Sequence, residues 1–132
     1  MKQSMRSHID SLIKSESLVK VKREVDPKFE IPAVMKRVER LGKAVLFENV
    51  KGSKFSVINN VFGSRDMLAL LFETSREEVV QQFIARSKKP ILPKIVKQES
   101  GEYIQKTGKD VDLFELPIVT HCSKDAGPFI TA

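Results

Sequence analysis

The segment Ala44-Val45-Leu46-Phe47-Glu48-Asn49-Val50 constrains the fold more than any other stretch of this sequence. Four successive apolar side chains at its start would point alternately to both faces of a strand, so both faces must be covered. A strand of that kind belongs in the middle of a sheet with other elements packed above and below it. The position of Gly42 before it and of Lys51-Gly52-Ser53 after it keeps it short, because glycine accepts the left-handed conformation that closes helices and tight turns.

The elements around this strand follow from periodicity. Ile9, Leu12 and Ile13 fall at helical spacing with Ser7 as N-cap, which predicts a short opening helix. Alternation from Val19 through Lys22 predicts a half-buried strand, broken by Asp26-Pro27. A second helix enters at Glu30-Ile31-Pro32 and places Ile31, Val34, Met35, Val38 and Leu41 on one face. Phe55–Asn60 reads as a third strand, paired with the central one as a hairpin across Lys51-Gly52-Ser53. Ser64 caps a helix through Phe72. The pair Ser75 and Glu78 has the spacing of a capping box opening a further helix with Val79, Val80, Phe83 and Ile84, and both helices are expected to pack on the sheet. The fold class is therefore α/β (α+β), a small mixed sheet flanked by helices.

Beyond these elements the character changes. Lys88-Lys89-Pro90-Ile91-Leu92-Pro93 is extended by its prolines and reads as a linker. Tyr103–Lys106 reads as a short strand, and Val111–Ile118 as a turn or single helical turn delivering another. The apolar run Gly127–Ala132 is β-prone, and strand backbone needs a partner, which leads to the expectation that further polypeptide or another subunit completes the sheet. The expected division is 1–89 for the α/β unit, 90–109 for linker and short strand, and 110–132 for the start of a second domain.

At 132 residues the chain can bury one ordinary core. No apolar run is long enough to cross a bilayer and the N-terminus has no secretory h-region, so a cytoplasmic location is expected. The single Cys122 fits a reducing compartment and reads as a free buried or half-buried thiol. The charge of +6 arises from 23 Lys and Arg against 17 Asp and Glu, but the basic residues are interleaved with acids and aromatics are few, with no Trp and one Tyr. That pattern speaks against nucleic acid as a partner.

Chemistry-bearing constellations are sparse. His8 is expected near a loose N-terminus, and His121 beside Cys122 lacks the further ligands of a closed zinc site. The glycines at 42, 52, 63, 101, 108 and 127 are isolated, so no phosphate loop is present. The carboxylates Glu24, Asp26, Glu30, Glu48, Asp110, Asp112, Glu115 and Asp125 read as surface or capping acids. Asp125 stands apart because it lies in the turn-like Ser123–Pro128, where a turn-stabilising role is preferred over a functional one.

Several motifs in order nonetheless resemble a known family. Val21-Lys22-Arg23-Glu24-Val25-Asp26-Pro27 with Glu30-Ile31, Leu46-Phe47-Glu48-Asn49-Val50-Lys51-Gly52, and Asn60-Val61-Phe62-Gly63-Ser64-Arg65 look like the N-terminal region of UbiD-type carboxy-lyases. Asp110–Leu113, Leu116-Pro117-Ile118, Thr120-His121 and Asp125–Ala132 are similar to the segment leading into that family's central cofactor domain. The resemblance implies an α/β domain beside a split β-barrel that holds prenylated FMN with manganese and often potassium, of which this chain would carry only the first strands. It implies reversible decarboxylation of aromatic or α,β-unsaturated acids, with the flavin as electron sink and a Glu-Arg-Glu network moving protons. That network and the metal ligands have no counterparts in this chain, so no catalytic or metal-binding residue is assigned and no cofactor is expected on the chain alone. Thr131 is the one position carried over as near the flavin. Expected partners are the remainder of the decarboxylase or a larger subunit, with homo-oligomers at full length.

Overall fold

The computed structural model describes residues 4–93, 108 and 111–130. Three strands form one sheet in the order β1 (Leu18–Val21), β2 (Ala44–Phe47), β3 (Val57–Asn59). β1 and β2 run parallel with Leu18 beside Ala44 and Val21 beside Phe47, and the helix α2 (Glu30–Glu39) lies between them in sequence, as a parallel pair requires. β3 runs antiparallel to β2, with Val45 opposite Asn59. β2 is central, and pleat alternation explains how it is covered. Val45 and Phe47 join Val25, Ile31, Val38 and Val50 in one core, while Ala44 faces the other way and meets Leu12 and Met67.

The first core is the layer between the sheet and α2. Ile31 and Val38 are buried and Val34 and Met35 are partly so, but Leu41 is 66% exposed. The helix ends at Glu39, and the tight turn through Gly42 (φ 64°) carries Leu41 off the stripe. The second core is built by α1 (Met5–Lys14) and α3 (Arg65–Phe72). The cap of α1 is Ser4, three residues before the expected Ser7. Ser4 accepts the Ser7 N–H at 3.1 Å while Ser7 Oγ receives the Ser4 N–H at 3.0 Å, so Ser7 serves as the reciprocal partner of a capping box. This extra turn of helix carries His8 inward. His8 is buried, not loose: its Nε2–H donates to the Val61 carbonyl at 2.9 Å and its ring stacks on Phe62 at 5.4 Å.

Ser64 caps α3 as expected, accepting the Met67 N–H at 3.2 Å. The fourth helix, α4 (Val79–Ser87), departs from expectation twice. Its Ser75–Glu78 pair does not form the full box, because the residue at the cap position is Glu78 and no side chain caps the first turn. The Glu78 carboxylate instead accepts from Thr74 Oγ1 at 2.8 Å and from Ser75, which lowers its pKa below the ordinary value. The helix also packs on α3 rather than on the sheet, burying Val79 and leaving Val80, Phe83 and Ile84 exposed. The third strand is shorter than expected at both ends, since Asn60 turns left-handed (φ 59°) and ends it.

Among residues 111–130 the single helical turn is a 3-10 turn at Leu113–Glu115, opened by Asp112 accepting the Phe114 N–H. Residues 127–130 form no strand, and Phe129 and Ile130 are exposed. The expected strand at Tyr103–Lys106 and the Thr131 position lie outside the described residues. No helix among the described residues is long and apolar enough to cross a membrane.

Candidate functional site

The motif residues 21–30 fold into a clamp made of local hydrogen bonds together with bonds to Asn49 and Lys51 after the central strand. The main chain of Val25 is pinned from both sides, its N–H donating to Asn49 O at 3.1 Å and its carbonyl accepting from the Lys51 N–H at 2.9 Å. Glu30, one helical turn after Asp26, reaches back to accept the Asp26 N–H at 2.7 Å and pairs with Arg23 through its other oxygen. Asp26 accepts the Lys28 N–H at 2.8 Å and pairs with Lys51 Nζ at 3.0 Å. Four charged side chains thus close a loop of only eight residues. Phe29 is held within it in the left-handed region at φ 71°, a conformation that costs a bulky residue free energy and persists only when its surroundings impose it.

What this loop presents is a short edge of unpaired backbone, and residues 118–121 occupy it. Phe29 N–H donates to Thr120 O at 3.0 Å and Thr120 N–H donates to Pro27 O at 3.3 Å, a parallel bridge between Lys28 and Thr120. Val119 packs against the first core beside it. A second tether comes from the turn after β2, where Ser53 Oγ donates to Glu115 O at 2.8 Å and Lys54 pairs with Glu115 at 2.8 Å. Beyond Thr120, the Asp125 carboxylate gathers the N–H groups of His121 (2.7 Å) and Cys122 (3.0 Å) and the Cys122 thiol (3.1 Å). Asp125 therefore does hold the turn. Cys122 is exposed, contrary to expectation, because this turn projects it from the surface. The seam borders an open groove of about 370 Å³, lined by Phe29, Lys36, Asn60 and His121 among others.

The electrostatics support the same reading. Hydrogen bonds from the Lys28 backbone and then from Lys51 hold Asp26 below its ordinary pKa of 3.8, and those from the Asp26 backbone and then Arg23 hold Glu30 below 4.5. Asp26 in turn raises Lys51 above 10.5. Asp125 is lowered first by the Cys122 thiol, then by the two backbone N–H groups. A carboxylate with a depressed folded pKa adds stability above its unfolded value, and that stability is lost as pH falls through the folded value. Lys51 adds stability below 10.5 that is lost as pH rises through its raised value. The clamp is thus expected to hold across neutral pH and to weaken below the ordinary carboxylate range. Urea unfolding at a series of pH values checks this: Asp26→Asn should flatten the acid limb, and an unchanged limb would show that the clamp carries no pH-linked stability.

As residues of the sequence, Asp26 and Glu30 read as surface or capping acids; their spacing of four residues across Pro27, with Arg23 upstream, is the signal that marks the clamp. Neither His121 nor Cys122 joins a metal cluster, and no group of three or more His, Cys, Asp or Glu among the described residues could hold a metal ion. The described residues therefore do not fit manganese, and no chemical step is derived through it.

Comparison with known proteins gives this scaffold its class. Residues 9–87 match the model of the 3-octaprenyl-4-hydroxybenzoate carboxy-lyase N-terminal domain. The chain is similar to the anhydromevalonate phosphate decarboxylase of Methanosarcina mazei, 35% identical over 127 residues that make up 96% of this chain and 28% of that protein. It is similar to the phenolic acid decarboxylase of Sedimentibacter hydroxybenzoicus, 34% identical over 139 residues covering 98% of this chain and 29% of that one. An evolved dimeric form of the UbiD-class enzyme HmfF from Pelotomaculum thermopropionicum, solved with prFMN, superposes with a TM-score of 0.87 at 32% identity, covering 99% of this chain and 31% of that one. The chain belongs to the UbiD family of carboxy-lyases, as the N-terminal domain of that family. It spans between a quarter and a third of the length of these relatives.

Proposed function

We propose that this chain is the N-terminal portion of a prenylated-FMN-dependent decarboxylase acting reversibly on an aromatic or α,β-unsaturated carboxylic acid in the cytoplasm, and that it is inactive alone. Its own task is to seat residues 111–130 ahead of the flavin domain, and Thr131 is the one position proposed to lie near the flavin. The division is 1–89 for the α/β unit, 90–109 for the connection, and 110–132 for the first part of the flavin domain. The complete enzyme would hold prenylated FMN together with manganese and potassium, and the flavin would supply the electron sink for loss of CO2. The observation that carries the reading is the backbone bridge of Thr120 to Pro27 and Phe29, formed between two of the motif segments that mark the family.

A second reading is a free-standing subunit that docks on a larger decarboxylase-like protein. The exposed Phe114, Phe129 and Ile130 favour it, since they offer apolar surface on the segment facing away from the core. One experiment separates the readings. The complete polypeptide encoded by the gene is supplied with prenylated FMN and assayed for CO2 release and for exchange of labelled bicarbonate into a panel of aromatic and acrylic acids. Turnover is expected; a full-length, flavin-loaded protein silent on the panel would overturn the decarboxylase reading, and a gene encoding only this chain would favour the subunit reading.

A further inference from the structure

The segment that carries the seam is held differently from the unit it lies on. From residue 111 to residue 130 no side chain is buried. Val119 packs against the first core yet is only partly covered, while Val111, Leu113 and Phe114 stand exposed. The bonds that cross to the α/β unit are polar, with the Thr120 bridge to Pro27 and Phe29 at one end and Glu115 with Ser53 and Lys54 at the other. The backbone bonds of the 3-10 turn stay inside the segment, and so do those of the turn that Asp125 closes. The receiving surface, by contrast, is complete without the segment. Val25 N–H bonds to Asn49 O, Lys51 N–H to Val25 O and Ile31 N–H to Asp26 O, and Val25, Ile31 and Val50 are buried. With the ion pairs of Asp26 and Glu30, these bonds hold the Pro27 carbonyl and the Phe29 N–H in place for an extended chain to pair with.

We infer that the α/β unit carries a preformed slot for an extended peptide segment, and that residues 111–121 are its resident ligand, a strap that leaves the slot as one piece while the sheet and the clamp stay folded. The slot adds an extended chain by backbone pairing, as sheet edges that capture peptides do. It offers one parallel bridge at Lys28, a partly covered place on the core for the β-branched Val119, and Lys54 for the acidic residue upstream of it. A segment held by polar bonds and little buried apolar surface opens at lower free energy than a packed core. The two tethers sit on different loops, one after β1 and one after β2, and the strap joins them. Loosening either one therefore loosens the other. The inference concerns this chain by itself and does not rest on the decarboxylase reading.

Native-state hydrogen exchange of the 132-residue chain, followed amide by amide by NMR over a series of low urea concentrations, tests it. After correction for intrinsic rates, the Phe29 and Thr120 amides should exchange through one shared opening. That opening should be at least about a hundredfold more frequent than the one that exposes Val25, Ile31 and Glu48, whose amides bond within the clamp and the sheet. Lys54→Glu removes the tether at Glu115 and should quicken Phe29 and Thr120 by the same factor, about two- to fivefold, while Val25 and Ile31 stay as they were. Lys54 is exposed, and circular dichroism checks that the variant keeps its fold. Phe29 and Thr120 exchanging only together with Glu48 would make the strap part of the sheet's own cooperative unit and would overturn the inference. So would Phe29 exchanging in step with Ile31, since the slot would then not persist without its strap. A Lys54→Glu chain in which Phe29 and Thr120 respond by different factors, or not at all, would overturn it as well.

Discussion

Phe47→Ala is expected to lower the unfolding free energy by about 3–5 kcal/mol, the range for deleting a buried aromatic side chain and leaving its cavity. Phe47 is wholly buried on the central strand and shares one core with Val25, Ile31, Val38, Val45 and Val50. The whole stability of a domain is about 5–15 kcal/mol, so this one change should leave a large unfolded fraction near physiological temperature. Phe47→Leu should cost less, about 1–2 kcal/mol, because neighbouring side chains can close most of the smaller gap. Phe114 provides the contrast, being 96% exposed, and Phe114→Ala should fall within about 0.5 kcal/mol of no change. Urea unfolding followed by far-ultraviolet circular dichroism measures all three. A Phe47→Ala protein with unchanged midpoint would contradict the assignment of β2 as the centre of the fold.

On the proposed function, Thr120→Pro is expected to have the largest effect on the decarboxylase activity of the complete polypeptide, a loss on the order of 10²-fold, as follows when a reacting assembly is displaced by about 1 Å. Proline removes the N–H that donates to Pro27 O and restricts the backbone of Val119, which packs on the first core. The Phe29 amide, whose acceptor is Thr120 O, should then exchange its hydrogen faster. Thr120→Ser keeps both backbone bonds and should change neither readout appreciably. If Thr120→Pro left both Phe29 exchange and decarboxylation unaltered, the seam could not be what positions the following segment.

Much of the fold was legible because it depends on local patterns. The four apolar residues of β2 needed cover on both faces and have it, and Ser64 caps its helix through the hydrogen bond its position implied. What local pattern could not show was tertiary choice. Ser7 is a sound cap in isolation, but Ser4 completes a reciprocal pair with it, and the resulting helix buries His8 against Val61 and Phe62. The stripe of α4 correctly announced an amphipathic helix, yet only the packing of Val79 on α3 reveals that the rest of the stripe turns outward.

The site was legible as motifs and not as a mechanism. Asp26 and Glu30 were visible as acids, but their roles depend on Lys51 from a distant turn and on a backbone N–H, neither of which sequence spacing supplies. Asp125 could be read correctly because an aspartate reaching nearby backbone N–H groups is a local event. The bridge between Thr120 and Pro27–Phe29 joins segments some ninety residues apart, and only the fold brings them together.

The most direct test of the central claim is native mass spectrometry of the protein recovered gently from its own cells, recording the covalent length of the polypeptide that contains this sequence, and any bound protein or flavin. The sequence is expected within a flavin-loaded decarboxylase polypeptide or assembly. Recovery of this chain as a lone, flavin-free species would contradict that expectation.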